Sequence, residues 1–279
     1  DPVNCGLPQL PPFLRAECEL VLEAGLRAVH DVPARQLRVT AGKPDSWKPE
    51  PRLSLEGALR LLAHPFSVMV ENSRNDAAFL RRLSGRWHKQ LELALKEKRL
   101  CFRHGGGITE IAQQVQAIDD EYERERLFVM VDSDASMPGR PSAQAQKVER
   151  LCREQHLPHH VLQRSRIENY LPLPVLKTAP DYWKDRDKTR LRRLVQAFAE
   201  LSEEQRHHFP MKKGLGSAPP ALFSECPPIC STGFGNDIAE LFGERYREKQ
   251  VHWKDQWTRH DRKAIDECEA IVKTLFARL

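Results

Sequence analysis

Five consecutive apolar residues, Leu127-Phe128-Val129-Met130-Val131, run directly into Asp132. A short run of this kind, closed by a polar loop, reads as a strand buried on both faces. Phe66–Val70 is a second such run and ends on Glu71. Leu100–Phe102 is a smaller one, broken by Gly105, Gly106 and Gly107, and Val161–Leu162 is a fourth. Between them the apolar spacing turns helical. Phe79, Leu80, Leu83, Trp87, Leu91 and Leu95 follow the first strand, and Ile108, Ile111, Ala112 and Val115 follow the second. After the third, a loop with Pro138, Gly139 and Pro141 leads to a helix over 142–155. Strands alternating with helices predict an α/β unit over residues 66–172, with about four mainly parallel strands covered by helices on both faces. In such sheets ligands gather at the carboxyl ends of the strands.

The flanks differ. Residues 1–65 carry crowded prolines around a helical pattern of Phe13, Cys18, Leu20, Val21 and Leu26. A short helix over Leu55–Leu62 follows, which Pro65 closes. Residues 173–279 lose the alternation and are predicted mostly helical, with a basic stretch Lys184–Arg193, a loop rich in Gly, Pro and Ser over 213–233, and two closing helices. The chain thus divides into a helical N-terminal extension (1–65), the α/β unit (66–172) and a helical C-terminal region (173–279).

The composition, 40% apolar and 30% charged, is that of a soluble protein. No run approaches the roughly 18 apolar residues of a membrane span, and no basic flank with an apolar stretch opens the chain. The expected location is the cytoplasm, with no membrane partner. Seven scattered cysteines, an odd number, argue against a secreted disulfide framework. Cys226 and Cys230 have no second pair near by, and Cys152, His156, His159 and His160 fit no zinc-ligand spacing. The net charge of +5 permits a nucleic-acid partner without demanding one.

Chemistry concentrates where the strands end. Glu71 closes the first, with Asp76 five residues on, and Asp132-Ser133-Asp134 closes the third. In an extended segment residues i and i+2 point the same way, so Asp132 and Asp134 can aim at one point. Glu71 joins them if the strands are neighbours. Ser165-Arg166-Ile167-Glu168-Asn169-Tyr170 follows the fourth strand and adds Glu168. Converging carboxylates repel one another unless a cation neutralises them, and oxygen-only ligands select Mg²⁺ or Mn²⁺. Such an ion keeps open positions for phosphate oxygens, which suits phosphodiester hydrolysis.

The order strand–Glu, helix, strand–Gly, helix, strand–Asp-x-Asp, helix, strand resembles the Toprim domain of topoisomerases, bacterial primases and OLD-type nucleases. Ser165–Tyr170 is similar to the Glu-Asn-Tyr element of small Toprim proteins related to OLD nucleases, many of which act in bacterial anti-phage defence. The resemblance covers residues 66–172. It implies Glu71, Asp132 and Asp134 as catalytic and metal residues, with Asp76 and Glu168 as further metal ligands. It also implies a lysine beyond the core, for which His208-Phe209-Pro210-Met211-Lys212-Lys213-Gly214 is the best segment and Lys212 is preferred to Lys213. A lysine near the scissile phosphate can stabilise charge in the transition state. The sequence departs from the family at Asn72, where a glycine is usual, and at Asp76, one residue later than the usual second acid. Because asparagine tolerates positive φ, the tight turn can survive.

Plainer explanations exist for several of these features. An isolated Asp-x-Asp is a common loop element, Asn169-Tyr170 can be a simple helix start, and the glycine triplet can be a plain turn. Lys184–Arg193 reads as a solvated helix face or as a phosphate-tracking one. Trp253 and Trp257 read as packing residues, and Asn236 as the cap of a helix entry. No G-x-x-x-x-G-K-[ST] occurs, so any regulating ATPase is expected to be a separate polypeptide. The expectation is a Mg²⁺- or Mn²⁺-dependent nuclease acting on DNA. The alternatives are the same centre acting on RNA and a non-catalytic nucleic-acid-binding or assembly subunit. The sequence leaves the oligomeric state open.

Overall fold

A computed structural model describes residues 12, 38–40, 45–47, 51–183, 186–217, 219–243 and 261–278. The expected helical pattern Phe13–Leu26, Lys184 and Asp185 of the basic stretch, and Trp253 and Trp257 lie outside the described residues.

Two short strands, β1 (Arg38–Val39) and β2 (Arg52–Leu53), pair in parallel ahead of helix α1 (Leu55–Ala63). Ser54 caps α1 by accepting the Gly57 N–H at 3.0 Å. The central sheet then begins. Its strands are β3 (Phe66–Val70), β4 (Leu100–His104), β5 (Leu127–Val131) and β6 (His159–Val161), all parallel in the spatial order β4-β3-β5-β6. The fold is therefore α/β, as expected from the alternation. The central pair β3·β5 aligns Met69 with Val129, so the loops that begin at Glu71 and Asp132 leave the sheet side by side.

Alternate residues of the central strands face opposite ways. Phe66, Val68, Val70, Phe128 and Met130 pack on α2 (Asn75–Leu83) and α3 (His88–Lys96). Met69, Leu127, Val129 and Val131 pack on α4 (Ile108–Gln116) and α6 (Ala143–Glu154), whereas α5 (Glu121–Glu125) is a single short turn with no buried residue. The helical pattern over 79–95 is not one helix, because a 3₁₀ turn at Gly85–Trp87 separates α2 from α3. Gly85 has φ +54, and a left-handed residue ends a right-handed helix.

Beyond the sheet lie α7 (Leu173–Tyr182), α8 (Lys188–Glu200), α9 (Glu203–His208) and α10 (Arg262–Phe276). Leu176, Leu194, Phe209, Phe234 and Leu275 belong to the same apolar cluster as Phe66 and Val68. The C-terminal helices thus complete one face of the α/β core. On α8, Arg190 and Arg193 are exposed while Leu191, Leu194 and Val195 are buried, so the described part of the basic stretch is an amphipathic helix. Asn236 opens a 3₁₀ segment, Asn236–Phe242, but the cap residue is Gly235 at φ +94 and no side chain caps it. A glycine reaches that dihedral without strain, which removes the need for asparagine as cap.

Cys152 and His160, which the spacing had left without a zinc site, have structural places. Cys152 is buried against the sheet, and His160 bonds Glu267 at 2.7 Å. Cys101, Cys152, Cys226, Cys230 and Cys268 are free thiols. Among the described residues no helix is long and apolar enough to cross a membrane.

One buried polar knot ties α10 to the segment after β6. Glu267, 7% exposed, accepts the Tyr170 hydroxyl at 2.6 Å and the Gln163 N–H at 2.9 Å. Deleting an acceptor strands buried donors, each at a cost of about 1–3 kcal/mol. Glu267→Ala is expected to lower Tm by roughly 6–12 °C in calorimetry, since about 3 kcal/mol shifts a domain of this size by that much. A shift of a degree or less would show that the knot does not hold α10.

Candidate functional site at the carboxyl edge of the sheet

Gly105 begins the turn out of β4 and donates its N–H to Val70 O at 2.7 Å. A Cβ at Gly105 would lie 2.3 Å from Ile111 Cγ1 and 3.0 Å from Val70 O, so only glycine lets the two strand ends meet this closely. The residue after Val70 is Glu71. Its carboxylate accepts the backbone N–H of Asp132 at 3.1 Å, which couples the ends of β3 and β5 directly.

The turn after Glu71 is built by side chains. Asn72 Oδ1 accepts the N–H groups of Arg74 and Asn75, both at 3.1 Å, and so starts α2. The Asn72 N–H in turn donates to Asp76 Oδ2 at 2.8 Å. Asn72 is not among the positive-φ residues, so it does not stand in for glycine by adopting a left-handed backbone. It works as an Asx cap instead, and the later position of Asp76 matches that cap.

Asp132 accepts the N–H of Ile167 at 3.1 Å, which joins the end of β5 to the segment after β6. Asp134 does not continue the strand. Its φ is +46, so the i, i+2 alternation expected for Asp132 and Asp134 is lost at the loop. The Asp134 N–H donates to Ser165 O at 2.8 Å, and its carboxylate accepts Arg166 Nε at 2.6 Å.

Glu168 lies in a 3₁₀ turn, Ile167–Tyr170, and is 1% exposed. Its Oε1 is 2.9 Å from Lys212 Nζ, an ion pair without the angles of a hydrogen bond. Neither carboxylate oxygen has a hydrogen-bond partner. Lys212 reaches the site because its backbone is clasped. Lys212 O accepts the Gly235 N–H at 3.0 Å, and a Cβ at Gly233 would lie 2.4 Å from Lys212 C. Lys213 is exposed.

The structure therefore gathers Glu71, Asp76, Asp132, Asp134, Glu168 and Lys212 at one edge. It also brings in Arg166, which sequence reasoning assigned no role although it stands inside the Ser165–Tyr170 motif. Electrostatics bear the marks of crowding. Burial and then the neighbouring charges of Glu71, Glu168, Asp76 and Asp134 push the Asp132 carboxyl well above the ordinary range. Burial, Glu71 and Glu168 raise Asp76 to about 7. Burial and Asp134 raise Glu71 against the opposing Asp132 N–H. Burial opposes the Lys212 ammonium, but Glu168 and Asp132 outweigh it and raise its pKa.

Would these residues suit a divalent cation? Among the described residues no three Asp, Glu, His or Cys side chains stand as a ready ligand set. The donor chemistry nevertheless fits. Carboxylate oxygens are the ligands of hard cations, Glu168 has two buried oxygens without hydrogen-bond donors, and like charges here lack full compensation. Compared with known families, curated proteins and solved structures, the chain matches none.

The raised acids set a pH dependence. Between its unfolded and folded pKa values, a raised carboxyl holds in the folded state a proton that the unfolded chain has released. Stability therefore falls as pH rises through that window, which for Asp76 runs from 3.8 to about 7. Asp76→Asn keeps an oxygen to accept the Asn72 N–H and removes the charge. In EDTA its Tm is expected to exceed wild type by roughly 10 °C at about pH 8 and to match it at about pH 4. The same gain at both pH values would rule out the Asp76 charge as the cause.

Proposed function

We propose that the chain is a metal-dependent nuclease of the Toprim kind, hydrolysing phosphodiester bonds of DNA. The observation that carries this reading is the group of four acids, Glu71, Asp76, Asp132 and Glu168, beside Lys212 at the carboxyl edge of a parallel sheet. Glu71, Asp132 and Glu168 would hold the cation, Mg²⁺ or Mn²⁺, with Asp76 adding charge behind them. A bound ion of this type supplies an activated water and stabilises the leaving oxygen.

The chain's own residues do the rest. Asp132 and Glu71 fix the ends of two strands to each other, so their carboxylates start from a rigid frame. Lys212 balances Glu168 and can transfer that charge to a phosphate as negative charge develops. The exposed Arg74 and Arg140 lie in loops at the same edge, where phosphate contacts would position a strand without reading its sequence. We further propose a role as the effector of a bacterial anti-phage system, held in check by a separate ATPase. That part rests on the resemblance of Ser165–Tyr170 to OLD-related proteins.

A second reading, a non-catalytic binding subunit, draws on the lack of a ready three-ligand set among the described residues. Asp132→Asn separates the two. It preserves shape while exchanging a carboxylate for a poorer ligand. With Mg²⁺ or Mn²⁺, wild type is expected to cut DNA and to stop in EDTA. The folded Asp132→Asn protein should be slower by orders of magnitude while still binding DNA. Cleavage by Asp132→Asn at the wild-type rate would place the reaction elsewhere, and binding without cleavage by wild type on both DNA and RNA would favour the subunit.

A further inference from the structure

Arg166 carries a guanidinium whose backbone is held more tightly than its side chain. The Arg166 N–H donates to Asn169 Oδ1 at 3.1 Å, and Arg166 O accepts the Asn169 N–H at 3.0 Å. Asn169 is itself pinned, donating to Arg206 O at 2.8 Å and Phe209 O at 2.9 Å. On one side Ser165 N–H donates to His207 O at 3.0 Å; on the other Ile167 N–H donates to Asp132. The side chain, 37% exposed, makes one hydrogen bond among the described residues, Nε to Asp134 Oδ1. Both terminal nitrogens are left for something else.

Asp134 is equally particular. It adopts a left-handed backbone that non-glycine residues seldom take, and this turn delivers its carboxylate to Arg166. The pair is part-exposed, with Asp134 27% and Arg166 37% accessible, and such pairs add little to stability. A left-handed turn that delivers a carboxylate to a weak ion pair is explained by what the guanidinium does. A guanidinium cannot lose its proton, so a divalent cation sharing the Asp134 carboxylate with it would meet a fixed positive charge. The same guanidinium, held by Nε, presents its two terminal N–H₂ groups in the planar fork that matches phosphate oxygens.

We propose that Arg166 grips a phosphate of the nucleic-acid strand at this edge, and that Asp134 positions Arg166 rather than ligating a metal. The proposal rests on the nuclease reading for its substrate class. It divides the Asp-x-Asp pair into two jobs: Asp132 serves the cation and Asp134 serves the arginine.

The test uses the full chain and two readouts other than turnover. The first is Mn²⁺ affinity by calorimetric titration. Asp134→Asn, which tolerates left-handed φ, is expected within about threefold of wild type, while Asp132→Asn weakens by about tenfold or more. A loss at Asp134→Asn as large as at Asp132→Asn would make Asp134 a ligand and overturn the positioning role. The second is the salt dependence of binding to a short non-cleavable DNA duplex, measured with Mn²⁺ and in EDTA. Arg166→Gln should lower the slope of log K against log salt by about one, and Arg166→Lys should keep the slope because it keeps the charge. Asp134→Asn should bind more weakly than wild type. If Asp134 were merely an acid repelling phosphate, its removal would tighten binding instead. An unchanged slope for Arg166→Gln, or tighter binding by Asp134→Asn, sinks the proposal. Wild type that takes up no Mn²⁺ would remove the metal-dependent reading, and the EDTA arm would still decide Arg166.

Discussion

Repulsion among Glu71, Asp76, Asp132 and Glu168 is the constraint around which the rest of the molecule is arranged. Carboxylates drawn together out of water favour protonation or a counter-ion, and the raised pKa values of Glu71, Asp76 and Asp132 express that pressure. A fold holds such a group only if the backbone beneath it cannot yield. Here it is the edge of a parallel sheet, with apolar residues of β3 and β5 packed on both faces. The chain's own cations take part of the strain, Lys212 against Glu168 and Arg166 against Asp134.

The segment after β6 is where the frame is tightest. Asn169 closes its own turn and reaches two carbonyls near the end of α9. Tyr170 is fully buried, bonds Glu267 of α10, and lies with its ring 4.5 Å from the Arg164 guanidinium. Arg164 continues to Asp261 at the start of α10. The Asn-Tyr pair after Glu168 is thus a structural clamp that brings the C-terminal helices onto the site. This explains why the lysine that completes the edge arrives from outside the α/β unit.

What could be read from the sequence follows from what depends on local pattern. Phe66–Val70 and Leu127–Val131 were legible to the residue because a strand buried on both faces is mostly apolar along its length, Ser67 being the one polar residue in the two. The preference for Lys212 over Lys213 came from resemblance alone; the structure sets Lys212 against Glu168 and leaves Lys213 exposed. The misses concern backbone that departs from regularity. Asp134 could not be placed by strand alternation once its φ turned positive, and Asn72 acts through its side chain, not through a glycine-like dihedral. Arg166 was invisible because its partner lies 32 residues away, and no spacing rule links them. Helix periodicity likewise ran through Gly85, where the third dimension breaks it.

The central claim is that the acids at this edge form one cation-binding centre. Anomalous diffraction from crystals of the full chain grown with Mn²⁺ tests it most directly. The expected result is a peak contacted by oxygens of Glu71, Asp132 and Glu168, with Lys212 moved away from Glu168 and Arg166 still on Asp134. A structure at saturating Mn²⁺ with no peak at this edge, and with the Lys212–Glu168 pair intact, would contradict it.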